Sequence, residues 1–470
     1  MTAIDVPPAD RDYGTKVTSI EPGGVEFIPL AERHGSPLQL LWTWSSPNFE
    51  FATIYVGVLG TLFFGLSFWQ SALAIVIGSA LGSLTHGYLS SMGPRTGLPQ
   101  MVAARSAFGF AGNAIPALLN SLMAGIGWFA VNSVSGALAL SSLTGLPGPV
   151  CLLAVVLVQV VVAFFGYNLV QVFERYAFPV LAVIFLVATV IVLGKAHLGA
   201  PSQGGGIGGF LVLVSASFGY AAGWNPYASD YTRYLSPDTS RLRVGLCAGL
   251  GVFLSCVVLE CAGAAAVTAT TFGDNPTSSF TGLLPQVIGD LTLLAIALGA
   301  VSANVLNIYS GSMAFLALEV KLPSTIRRAL VAGVFGIVGF VVAWTGLDNA
   351  GSKYENFLLV IAYWVAPWLG VVLTDRLLRR GTDVRGAMTT RGYANWAGPV
   401  AFVVATVVSV WLFSEQAQYV GPVAAANPGI GDLTPFVGFA MAAALYAALF
   451  GPLARPVPPA PVELTTGSAA

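Results

Sequence analysis

The sequence predicts an all-α integral membrane protein of twelve transmembrane helices, with the first and sixth helices discontinuous. Composition, the number of apolar runs and the placement of basic residues predict it. The chain has 470 residues, of which 56% are hydrophobic and 9% charged, and its mean hydropathy is +0.78. Soluble domains carry about 25% charged residues, so the partner of this surface is the lipid bilayer. The net charge is −1, which leaves no basic face for nucleic acid. The four cysteines (Cys151, Cys247, Cys256, Cys261) sit in apolar runs without metal or disulfide spacing, as small core residues do.

A membrane-crossing helix needs about 20 mostly apolar residues. Such runs fall at 41–66, 69–92, 112–142, 148–168, 175–196, 208–235, 243–271, 287–319, 327–346, 354–377, 394–414 and 432–454. With the N-terminus in the cytoplasm, this count puts 18 of the 20 Lys and Arg residues on the cytoplasmic side, leaving only Lys195 and Lys353 outside. Cytoplasmic loops are expected to hold that excess, and one miscounted span would scatter it. No signal peptide is visible. The organisation expected is a cytoplasmic tail over 1–37, five-helix halves over 38–200 and 201–380, two further helices over 381–455 and a cytoplasmic tail over 456–470. The location expected is the plasma membrane.

Two spans carry breaks in corresponding places. The first reads "WTWSSPNFEFATIYVG" from Trp42 to Gly57, with Ser45, Ser46, Pro47 and Asn48 in a row. The sixth reads "AAGWNPYASDY" from Ala221 to Tyr231 and sets Asn225 beside Pro226. Either proline alone reads as an ordinary kink. Interrupted helices at matching positions of two halves point instead to a transporter site, where freed N–H and C=O groups bind a polar ring or a cation.

Ionisable residues inside spans are costly and are functional candidates. Glu50, just past the first break, and Glu260 in span seven qualify as proton carriers; Glu260 also reads as a buried structural carboxylate. Asp230 and Arg233 are three residues apart near a helix end and are expected to pair locally. Span three places Trp128 and Asn132 four residues apart, on one face. Trp stacks a flat ring, and Asn donates and accepts at a ring edge. Span eight buries Ser302, Asn304, Asn307 and Tyr309 among small apolar residues. Polar residues also glue helices together, but two amide-bearing spans beside Trp128 and two breaks favour a neutral, planar, heteroatom-rich ligand.

At these residues the chain resembles the purine–cytosine permease family of nucleobase:cation symporters. The likeness is carried by "ERHGSPLQLLWTW", "LGSLTHGYLSSMGPRTGLPQMVAARSAFG", "GWFAVNSVSGALAL", "GWNPYASDYTRYL", "ANVLNIYS" and "YENFLLVIAYWVAPWLGVVLTD", which together span most of residues 30–380. The resemblance implies a five-plus-five inverted-repeat core with two added C-terminal helices, working by alternating access, and import of a nucleobase of cytosine or purine type. Allantoin, hydantoin or a vitamin-like ring such as thiamine is the alternative cargo, with sodium as the alternative coupling ion in that case. It also implies that the substrate stacks on Trp128, meets Asn132 where the family often has Gln, and contacts Tyr220 and Ala221 before the second break. Tyr220 or Trp224 supplies a second aromatic, and Asn304, with Asn307 nearby, supplies the amide of span eight.

The coupling group is expected among Ser46, Pro47, Asn48, Glu50, Glu260 and Ser302. Sodium-coupled relatives carry two adjacent hydroxyls before the span-eight amide; here those positions are Ser302 and Ala303, which points toward H+ rather than Na+. No cofactor and no obligate protein partner are expected. An enzyme is disfavoured because the three histidines form no catalytic or metal spacing with Cys or Asp. A channel would show charged rings or a filter motif.

Overall fold

The computed structural model describes residues 14–22, 24–273, 275–320, 327–347, 350–416, 418–427 and 429–460. Arg11, Lys321 and the end of the C-terminal tail lie outside them, as does the Lys353 side chain. The principal helices are α1 (Gln39–Ser45), α2 (Phe51–Leu62), α3 (Phe68–Ser90), α4 (Ala114–Thr144), α5 (Gly148–Phe165), α6 (Tyr167–Lys195) and α7 (Gly206–Ala222). They continue as α8 (Arg241–Val267), α9 (Pro276–Thr281), α10 (Gln286–Leu316), α11 (Arg327–Gly346), α12 (Ala350–Leu378), α13 (Ala397–Phe413) and α14 (Thr434–Leu453). A two-stranded antiparallel ribbon, Glu415–Gln416 with Tyr419–Val420, joins α13 to α14.

Among the described residues, ten helices are long and apolar enough to cross a membrane, and the shorter α2 and α13 are also apolar. The protein is therefore a multi-pass membrane protein. Large apolar residues such as Leu84, Val161, Val190 and Ile337 face outward, as lipid contact requires. The most apolar stretch of α10 is 83% buried and that of α14 only 17%. α10 is thus the central post, packed by α4, α5, α6 and the first break; α12, α13 and α14 pack on one another.

Both breaks follow from local chemistry. After α1 the chain makes one 3-10 turn at Ser46–Asn48 around Pro47, which has no N–H to give. Glu50 is then extended and stands at the N-cap of α2. In the sixth span the helix stops at Ala222, before Asn225-Pro226. Residues to Leu235 then run as tight turns: Tyr227 donates to Trp224 O, Asp230 to Tyr227 O and Thr232 to Ser229 O, each three residues back. The expected span to 235 is therefore helical only to Ala222. A π turn at Met123–Trp128 interrupts α4; such bulges rotate the following side chains and frequently mark functional sites.

Close approaches hold the breaks in place. Gly57 of α2 lies against the Glu260 carbonyl of α8, and Gly299 of α10 lies against the Phe49 carbonyl and the Glu50 side chain. A methyl on Gly299 would overlap backbone, which cannot rotate away. Gly299→Ala is expected to destabilise the fold by at least the ~1–3 kcal/mol typical of overpacking, read as a lower melting temperature in detergent; an unchanged value would count against this packing.

Glu21, Val25, Glu26 and Ile28, from the segment before α1, are buried against the helix ends. Glu21 is buried and accepts hydrogen bonds from Arg233 (3.0 Å), the Tyr234 hydroxyl (2.7 Å), the Tyr309 hydroxyl (3.1 Å) and Tyr167 N (3.0 Å). Arg328 Nε stands 3.6 Å from Glu21 Oε2, the oxygen that also accepts from Tyr167 N. Glu26 pairs with Arg327, and Arg33 donates to the Pro94 carbonyl. This strap ties α6, α10, α11 and the turns after α7 at one face.

Candidate functional site

The second break and the π turn meet at a small cavity of about 10 Å³ lined by Trp128, Asn132, Tyr220, Gly223, Trp224 and Asn307. Trp128 is edge-on to Tyr220 at 5.5 Å and to Phe357 at 5.0 Å. The walls are held from the first break. Trp224 Nε1 donates to Asn48 Oδ1 (2.9 Å), and Asn48 Nδ2 donates to the Trp44 carbonyl (2.7 Å). The Tyr220 hydroxyl lies 2.6 Å from Thr53 Oγ1 and 3.2 Å from Glu50 Oε1. Cavity and breaks therefore form one mechanical unit.

The amides behind the cavity have determined orientations. Asn304 Nδ2 donates to the Phe129 carbonyl (2.9 Å), Ser133 Oγ (3.1 Å) and Gln159 Oε1 (3.0 Å). A backbone carbonyl can only accept, so this end of Asn304 must be its NH₂. Its oxygen then faces the cavity side and receives Asn132 Nδ2 (3.1 Å) and Asn307 Nδ2 (3.3 Å). Among the described residues, Asn132 and Asn307 keep their own Oδ1 atoms buried without a partner. Buried polar atoms normally find partners, and two bare acceptors beside an aromatic wall are what a ring carrying N–H donors would satisfy.

Several sequence expectations change place. Asn304, expected at the ring edge, is saturated and stands behind the cavity, where it orients Asn132 and Asn307. Ala221, expected as a contact, is turned toward α3 against Gly82; Gly223, two residues on, lines the cavity instead. Asn48, expected near the ion, is engaged by Trp44 and Trp224. Glu50 stands at the N-cap of α2 without a side-chain cap hydrogen bond; it is buried, and its Oε1 accepts from the Tyr220 hydroxyl (3.2 Å). Glu260 is buried facing Ser79 and Ser217, away from the first break, with no closed hydrogen bond. Asp230 and Arg233 do not pair with each other: Asp230 accepts from Gln100 N (2.8 Å), and Arg233 reaches Glu21. Each finds a better-aligned partner from a distant segment than its neighbour three residues away.

Ser46 and Ser302 are brought together, 3.0 Å apart, with Pro47 beside them. A residue not anticipated joins them: Ser302 Oγ donates to Glu174 Oε2 at 2.6 Å. The sequence reading started the fifth span at 175, but α6 begins at Tyr167 after the single link residue Gly166.

A larger apolar vestibule of about 310 Å³ lies beside the cavity, bordered by Phe51, Tyr55, Gly127, Val342, Tyr354 and Phe357. It reaches the end of α11 opposite Arg327 and Arg328, so it opens on the face away from the Glu21 strap. Trp128, with Phe357 and Tyr354 (6.5 Å), stands between vestibule and cavity.

Comparison with known proteins is consistent over nearly the whole chain. The profile of a family described as permeases for cytosine/purines, uracil, thiamine and allantoin matches residues 27–438. The putative purine-cytosine permease YxlA of Bacillus subtilis is 28% identical over 455 residues, covering 92% of this chain and 96% of its own. The purine-cytosine permease fcyB of Emericella nidulans is 30% identical over 465 residues, covering 92% and 88% respectively. Among solved structures, the fold is similar to that of Mhp1, a nucleobase-cation-symport-1 family transporter, in a closed conformation with bromovinylhydantoin bound. The TM-score is 0.73 at 21% identity, over 92% of this chain and 95% of that one.

Proposed function

Because the chain belongs to the family of permeases for cytosine/purines, uracil, thiamine and allantoin, and is therefore a transporter and not an enzyme, we propose that it imports an amino-bearing nucleobase by proton symport. The observation that carries the substrate reading is the pair of unpartnered oxygens on Asn132 and Asn307 beside Trp128. An exocyclic amino group, as on cytosine or adenine, offers two N–H donors from one nitrogen and can engage both. The base stacks on Trp128, with Tyr220 and Trp224 closing the other walls. Ligand pockets usually span about 300–1,000 Å³, so entry of a ring requires the aromatic walls to move apart. The links Trp224–Asn48 and Tyr220–Thr53 transmit that movement to both breaks.

The chain works by alternating access between two five-helix halves, 38–200 and 201–380, in the plasma membrane with both termini cytoplasmic. The vestibule is then the extracellular entry and the Glu21 strap the closed inner face. The coupling ion is a proton in preference to sodium. Ala303 withholds a hydroxyl beside Ser302, and the 2.6 Å contact of Ser302 with Glu174 leaves no space for an ion between these oxygens.

Competition against labelled cytosine uptake tests the substrate class. Adenine is expected to compete at least about tenfold better than uracil or hypoxanthine, the scale of one lost hydrogen bond to a buried acceptor at ~1–3 kcal/mol. Allantoin or thiamine as the strongest competitor would overturn the reading in favour of a ureide or vitamin carrier.

A further inference from the structure

We propose that Glu174 is the proton-carrying group of the transport cycle, switching the contact between the first break and α10 as it gains and loses its proton. This deepens the symport reading above and rests on it.

Glu174 lies two turns inside α6 and is fully buried. Its Oε2 accepts from Ser302 of α10, which lies 3.0 Å from Ser46 at the first break, and its Oε1 has no partner among the described residues. One carboxyl group therefore touches, directly or through one hydroxyl, the elements that must separate when the site changes face. Nothing cationic answers it: among the described residues no Lys, Arg or His forms an ion pair with Glu174.

The groups around it are neutral from every side. α1 presents Thr43, which donates to Gln171 Oε1 one turn before Glu174 (3.0 Å). α10 presents Ser302, and α5 carries no charged residue. On α8, Glu260 turns to Ser79 and Ser217 instead. From the turns after α7, Tyr231 is near, with its hydroxyl donating to the Leu306 carbonyl (3.2 Å). Arg175, next in the chain, is exposed. A lone carboxylate charge in such surroundings is costly, so the closed arrangement is the one in which the group carries a proton.

The cycle then balances simply. A proton from the outer aqueous phase bonds to a Glu174 oxygen while the break and α10 are apart. The neutral group lets Ser302 and Ser46 close over it. When the inner face opens, the O–H bond breaks and the proton passes to cytoplasmic water, leaving the carboxylate to be hydrated. One proton enters with each base. Glu50 is bonded instead to the Tyr220 hydroxyl at the cavity wall (3.2 Å), not to the Ser46–Ser302 contact.

The test uses the full chain in proteoliposomes with labelled cytosine as probe. In wild type, an acid exterior is expected to drive accumulation above equilibrium, and a dye inside is expected to report acidification on adding cytosine. Glu174→Gln keeps the neutral shape but cannot cycle a proton. Its accumulation is expected to fall at least tenfold, and any cytosine exchange it retains should no longer vary with pH. Arg175→Gln, at the exposed neighbour, should accumulate as wild type does. Proton-driven accumulation by Glu174→Gln would overturn the proposal, as would wild-type accumulation that follows a sodium gradient and ignores pH. Should Glu174→Gln not fold, Glu174→Asp carries the test: a displaced pH dependence supports the role, and a profile superimposed on wild type overturns it. A wild-type protein that exchanges no base in any gradient fails the permease reading first, and this proposal with it.

Discussion

Replacing Trp128 by alanine is expected to abolish saturable uptake while leaving the protein folded in the membrane. Trp128 occupies the end of the π turn, faces both Tyr220 and Phe357, and separates the vestibule from the cavity. Stacking of a base on an aromatic side chain is worth about 1–3 kcal/mol, or roughly 5- to 150-fold in affinity at 1.4 kcal/mol per tenfold. Truncation also removes the wall that divides the two spaces, so a base that still enters is no longer held against the Asn132 and Asn307 oxygens. The two losses compound on the path to closure. Trp128→Phe keeps a smaller stacking face and should retain part of the uptake. Uptake by Trp128→Ala at the wild-type rate, with equal surface expression, would remove the residue from the site.

Glu21→Ala is expected to produce the largest loss of stability of any single change outside the site. Its carboxylate is buried between Arg233 and Arg328, both buried themselves, and it gathers hydrogen bonds from Tyr234, Tyr309 and the backbone of Tyr167. Removing one partner of a buried ion pair costs about 3–5 kcal/mol, because the remaining charge is left without compensation. Here two guanidinium groups lose their shared anion at once, and four elements lose a common anchor. The change should appear as a clear drop in melting temperature of the purified protein. Glu21→Gln, which keeps hydrogen bonding without charge, should fall between. An unchanged melting temperature in Glu21→Ala would show that the strap does not hold this face.

Much of this architecture is written locally in the chain. Apolar runs of twenty residues can only be membrane helices, and basic residues mark one face of them. Pro47 and Pro226 each stop a helix by lacking an N–H, so both breaks were legible. Trp128 and Asn132 could be paired because helical spacing alone puts them on one face. What stayed hidden depends on contacts between distant segments. Gln171, Glu174 and Arg175 interrupt the apolar run, so spacing alone places Glu174 in a loop. A link of the single residue Gly166 lets α6 begin at Tyr167 and carries that polar turn into the bundle; the short apolar gap after Phe165 was the available signal. Asn304 carries the same side chain as Asn132, and only its donation to the Phe129 carbonyl reveals that it orients rather than contacts. The rotation that turns Ala221 to α3 and Gly223 to the cavity is one step of helix geometry at a break, where periodicity ceases to predict direction. Arg233 found Glu21, 212 residues away in sequence, because the strap folds back over the helix ends.

The most direct measurement is an experimental structure of the protein with cytosine bound. The ring is predicted to lie against Trp128, with the amino nitrogen within hydrogen-bonding distance of both Asn132 Oδ1 and Asn307 Oδ1 while Asn304 keeps its bond to the Phe129 carbonyl. Cytosine found with its amino group turned away from both amides, or seated only in the outer vestibule, would contradict it.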